Sequence, residues 1–117
     1  MAIELEERFE GLPLTELGDG LVLVEAKTHR SRRRGLSRLD ALAPAHGLHI
    51  PQTPSVHTFG MRFALDLIWL DGQGQMVRVD RDVPARRMRW CPRARSVVET
   101  NAGQADAFLA AGVGRAT

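Results

Sequence analysis

The sequence predicts a mainly β or α+β domain, a compact antiparallel sandwich or half-open barrel with two or three short helices. Three observations carry this. Between Val56 and Val79, in VHTFGMRFALDLIWLDGQGQMVRV, Phe63, Leu65, Leu67 and Trp69 alternate with Ala64, Asp66 and Ile68. After Asp71-Gly-Gln-Gly the apolar residues resume with Met76, Val77 and Val79, and alternation of period two around a Gly-containing turn marks a β-hairpin. Further short apolar runs, each bounded by Gly or Pro, recur along the chain and suit a closed β architecture that hides its strand edges. The helical segments are short and do not alternate with the strands, which disfavours a doubly wound α/β fold.

In chain order, residues 1–20 read as an acidic, weakly structured lead-in punctuated by Gly11-Leu-Pro13 and Gly18-Asp-Gly20, and residues 21–117 as one β-rich domain. Leu21 to Ala26, LVLVEA, is the first strand. Thr28 to Leu39 is a short helical candidate, with Thr28 or Ser31 as its cap and Gly35 weakening it. Leu39 to Ala45 offers a second helical turn. Gly47-Leu-His-Ile50 is a strand stopped by Pro51 and Pro54. After the central hairpin, Asp80 to Ala85 reads as a polar turn containing Pro84. Met88 to Cys91 and Ser96 to Thr100 are strands, Asn101-Ala-Gly103 is a turn, and Gln104 to Ala111 is a helix ending before Gly112.

A chain of 117 residues supports one hydrophobic core, and 44% apolar with 26% charged residues is the composition of an ordered globular domain. No apolar run is long enough for a membrane span, and MAIELEE lacks the basic start of a signal peptide, so a cytoplasmic location is expected. The one cysteine, Cys91, excludes an internal disulfide and reads as a reduced, structural thiol. The net charge of +2 conceals an asymmetry: residues 1–26 sum to −6 and residues 27–117 to +8. Such opposed blocks invite docking of the N-terminal segment onto a basic body, in cis or in trans, or leave a basic face for an anionic partner.

VHTFGMRFALDLIWLD, preceded by Arg34-Gly35-Leu36 and followed by Val97-Val-Glu-Thr-Asn-Ala-Gly103, resembles the bacterial and archaeal family called domain of unknown function 192. Gly35-Leu36, Leu65-Asp66, Glu99 and Gly103 stand at positions of the family pattern. Ala64 replaces its usual Pro, and His57-Thr-Phe-Gly-Met61 stands where many members have Trp-Met-Lys-Asn-Thr. No role is therefore carried over for that Lys, Asn or Thr. The resemblance spans roughly Leu21 to Val113 and implies a compact β-rich domain with a helix or two. It implies no activity. Members often carry a signal peptide or membrane anchor, which this sequence does not show.

Asp66 is the first candidate for a position that matters, because a carboxylate inside an apolar strand must be hydrogen-bonded or paired. Its functional reading is a pocket carboxylate paired with His57, or with an arginine such as Arg34 or Arg62. Its structural reading is an ion pair or buried acceptor that fixes strand register. Glu99, in the apolar strand Ser96 to Thr100, poses the same question. His46, His49 and His57 invite a metal reading with Asp66 as fourth ligand, but their spacing matches no ligand signature, and neither a metal nor a cofactor is assigned. Five arginines lie between Arg30 and Arg38, and five between Arg86 and Arg95 around Trp90. They could hold phosphates, although Asp80, Asp82 and the acidic N-terminus offset them and no nucleic-acid-binding motif is present. A nucleophilic Cys91 would need an adjacent base, and Trp90 and Pro92 beside it suggest packing instead.

The reading favoured is a non-catalytic binding or accessory domain, a monomer or homodimer, holding a small ligand or a peptide in a groove near His57, Asp66 and Glu99. The alternatives are a metal-assisted enzyme using His46, His49 and His57, and anion or nucleic-acid binding on the Arg-rich face.

Overall fold

In the computed structural model, which describes residues 11–27, 42–58 and 61–115, the anticipated hairpin forms one side of a six-stranded mixed sheet. The strands are β1 (Leu14–Glu16), β2 (Val22–Glu25), β3 (His46–Pro51), β4 (Ser55–His57), β5 (Leu65–Leu70), β6 (Met76–Val83), β7 (Met88–Trp90) and β8 (Ser96–Asn101), followed by the helix α1 (Ala105–Ala110). The large sheet has the order β1-β2-β3-β8-β5-β6, and β4 pairs with β7 in a separate two-stranded sheet. The domain is thus mainly β, with α1 the one α-helix among the described residues and a single 3-10 turn at Gly18–Gly20. The helical candidate from Thr28 to Leu39 lies outside the described residues, and Pro44-Ala45 form a turn.

Among the described residues every pairing is antiparallel except that of β2 with β3. A parallel pair needs a crossover of roughly a dozen residues or more, and the stretch between β2 and β3 supplies it. β1 lies within the segment read from sequence as a lead-in; it hydrogen-bonds the outer edge of β2.

The sheet separates two cores, which explains why LDLIWL is apolar at alternate and intervening positions alike. All six residues of β5 are buried. Leu65, Leu67 and Trp69 pack on one face with Val24, Leu48, Ile50 and Val97, beneath Val56 and Cys91 from around the small sheet. Ile68 and Leu70 pack on the other with Leu23 and Val98, beneath Ala105, Phe108 and Val113. Trp69 is buried with its Nε1–H donated to Asp80 Oδ2 at 3.0 Å, so its polar atom is not stranded.

Gly47 is what lets α1 lie close. A Cβ there would sit 3.0 Å from Phe108 Cε1 and 3.3 Å from Leu23 Cδ1. Gly47→Val is expected to cost about 1–3 kcal/mol through overpacking, read as a lower urea midpoint with an unchanged slope. An unchanged midpoint would contradict this close packing.

β6 runs four residues beyond the expected strand end, through Asp80 to Val83 and into what the sequence suggested was a polar turn. The extension depends on a β-bulge. Leu65 pairs with Val83 and Leu67 with Asp80, so Arg81 and Asp82 together oppose Asp66. Asp82 takes a positive φ of 53°, a conformation that Asp tolerates better than most residues.

Candidate functional site

Asp66 is 1% exposed and both its oxygens are in use. Oδ1 accepts the Asp82 N–H at 2.9 Å, across the bulge. Oδ2 accepts the Gly103 and Ala105 N–H groups, each at 3.0 Å. The first N–H groups of a helix have no partner within it, and the N-cap residue of α1, Gln104, makes no side-chain capping bond. Asp66 supplies the cap from a different strand. It thereby fastens hairpin, bulge and helix to one another, so its role among the described residues is the buried-acceptor one. Beside it lies an open depression of about 380 Å³ edged by Arg81, Asp82 and Asp106, where Arg81 donates to Asp106 at 2.8 Å.

Among the described residues Glu99 has no such partners. It pairs in register with Leu48 on one side and Leu67 on the other, on the face it shares with Val97. It is 4% exposed, and Oε1 has no hydrogen-bond partner. Burial alone pushes its carboxyl from the ordinary 4.5 up to about 7.

These placements do not bring His57, Asp66 and Glu99 into one groove. Asp66 and Glu99 sit opposite adjacent residues, Thr100 and Leu67, and so emerge on opposite faces of the sheet. Asp66 faces α1, whereas Glu99 faces the core beneath the small sheet. His57 stands on β4 with its side chain exposed, and Arg62 is exposed between β4 and β5. Arg34 lies outside the described residues. The histidine set is likewise dispersed. His46 and His49 are three residues apart on one strand and point to opposite faces, and His57 belongs to the other sheet. His46 Nδ1 is 3.0 Å from the Pro44 carbonyl. Among the described residues no group of three or more His, Cys, Asp or Glu side chains is placed to hold a metal ion. Cys91 is a buried thiol in the core, as its packing reading anticipated.

One arrangement went unseen in the sequence. The parallel pairing of β2 with β3 sets Glu25 beside His49, and His49 Nδ1 lies 2.6 Å from Glu25 Oε2. In its neutral form the ring presents Nδ1–H to the carboxylate and keeps the lone pair on Nε2. That Nε2 is shielded from solvent and has no hydrogen-bond partner. The pair lies at an open groove of about 290 Å³ on the α1 side of the sheet. Leu17, Leu23, Leu70 and Val113 make its walls apolar, and Arg115 stands at its edge. Chemically it offers an apolar bed with one oriented acceptor and an adjoining carboxylate. Among the described residues no hydroxyl or thiol side chain lines it.

The family model for domain of unknown function 192, described as uncharacterized ACR, matches residues 15–113. Nothing among curated proteins matches the chain. Two solved structures share its fold. One, from Sinorhizobium meliloti 1021 and provisionally named a transcription regulator, is 20% identical with a TM-score of 0.66 and 86% of each chain covered. The other, a protein of unknown function from Novosphingobium aromaticivorans DSM 12444, is 15% identical with a TM-score of 0.64 and 96% of each chain covered. No helix among the described residues is long and apolar enough to cross a membrane.

Proposed function

We propose a binding function for this chain, which belongs to the domain of unknown function 192 family: its groove at Glu25 and His49 receives a small ligand. The ligand has an aliphatic body and a hydrogen-bond donor head, a hydroxyl or an amine. The observation that carries this is the unsatisfied His49 Nε2, held in orientation by Glu25 in an otherwise apolar wall. Buried polar atoms without partners are rare, and apolar grooves with a few oriented polar groups are the usual form of small-molecule sites. Because Nε2 is shielded, a ligand head reaches it by displacing a neighbouring side chain. A reducing compartment such as the cytoplasm suits the buried free thiol of Cys91.

Titration with n-hexylamine, n-hexanol and hexanoate, followed by backbone amide shifts, tests the reading. The amine and the alcohol are expected to move Leu23, Leu70 and Val113 saturably. Hexanoate should bind more weakly, since its head would face both a lone pair and the Glu25 carboxylate. His49→Ala is expected to weaken amine binding by about five- to ten-fold, the worth of one hydrogen bond. Tightest binding by hexanoate, or no change with His49→Ala, would contradict the assignment.

A further inference from the structure

We propose that the outer face of the β4/β7 sheet is a docking surface for single-stranded nucleic acid, separate from the groove, which lies on the other side of the large sheet. Large apolar side chains are exposed here as a group. Trp90 is 58% exposed and Met88 44%. They alternate on one strand and therefore share a face, while Arg89 between them is set opposite buried Val56. Register places His57 opposite Met88 on that same outer face.

Charge makes the patch selective. Residues 86–95 contain Arg86, Arg87, Arg89, Arg93 and Arg95 and no acid. The hydrogen bonds that the guanidinium groups of Arg87, Arg89 and Arg95 make run to backbone carbonyls, and among the described residues none of the five arginines is paired with a carboxylate. Asp80, which the sequence offered as an offset, is occupied by Arg78 and Trp69, and Asp82 is on β6. The platform is also fastened from below. Arg87 N–H donates to the buried Thr58 hydroxyl at 2.8 Å, Cys91 N–H to the Pro54 carbonyl at 2.8 Å, and the Arg78 guanidinium to the Trp90 carbonyl.

An exposed indole in a stretch of five arginines that have no carboxylate partner among the described residues matches what unpaired bases and their phosphates require. An acidic peptide would use the arginines but has no need of the indole face, and a duplex would hide its bases from it. From sequence this surface ranked only among the alternatives, because the acids already engaged could not be separated there from the arginines left over.

Fluorescence anisotropy of an end-labelled oligothymidylate is the test. Binding is expected to be saturable at about 50 mM salt and to fall steeply towards about 200 mM, as counterion release dictates. Trp90→Ala should weaken it about ten-fold or more, and Trp90→Phe should recover much of the loss. Arg86→Ser with Arg87→Ser should reduce the salt dependence by about one phosphate contact or more. These are surface positions, and urea midpoints are expected to stay at the parent value. Absence of saturable binding would overturn the proposal. So would binding indifferent to Trp90→Ala, or polyglutamate binding that is as tight and equally sensitive to the arginine changes, which would point to an acidic protein partner.

Discussion

Replacing Glu99 by Gln is expected to stabilise the protein at neutral and alkaline pH, by up to about 3 kcal/mol, the free energy of a shift from 4.5 to about 7. The sign follows from where the proton resides. Below about 4.5 the carboxyl is protonated in both the folded and the unfolded chain, and the buried group is a neutral acid. As pH rises towards about 7 the unfolded chain ionises while the folded one keeps its proton, so stability declines across that window. Above about 7 both are ionised and the loss is complete. The amide of the Glu99→Gln variant has no such proton to lose and should remove that part of the slope. Urea denaturation of parent and variant at about pH 5 and pH 8 reads the difference. The two should be similar at the lower pH and diverge at the higher. A variant less stable than the parent at the higher pH would mean that the carboxylate has a cation beside it.

The opposite outcome is expected at Asp66. Asp66→Asn should destabilise by on the order of 3–5 kcal/mol, because three backbone N–H donors, that of Ala105 buried and those of Asp82 and Gly103 partly so, lose an acceptor suited to all of them. One side of the new amide would accept as before, and its NH₂ would confront another donor. Against a typical domain stability of about 5–15 kcal/mol this is a large loss. Amide hydrogen exchange provides a local readout: Asp82, Gly103 and Ala105 should lose protection ahead of β8. Unchanged stability and protection would refute the capping role.

These two carboxylates show what could be read from sequence and what could not. Their burial was legible, because each interrupts an apolar strand of clear periodicity. Their fates were not. Asp66 is satisfied by Gly103 and Ala105, 37 and 39 residues away, and by a bulge at Asp82 that carries no glycine to announce it. Glu99 faces the opposite core only because β8 lies between β3 and β5, a matter of strand order rather than local pattern.

The hairpin, the strands around Val24, Leu48 and Val98, and helix α1 were all visible in alternation and turn chemistry. The edge strand β1 was not, since its three residues are exposed and lack an apolar face. The pairing of Glu25 with His49 depends on parallel strands joined by a long crossover, and no spacing rule foretells it. The histidines themselves misled, because three residues along a strand reverses the face.

The groove assignment is tested most directly by the imidazole nitrogen spectrum during addition of n-hexylamine. The His49 Nε2 resonance should move saturably, along with the amide of Val113, while the ring nitrogens of His46 and His57 stay in place. A His49 resonance that does not move while the folded protein is saturated with the amine, or equal movement at His46, His49 and His57, would contradict the assignment.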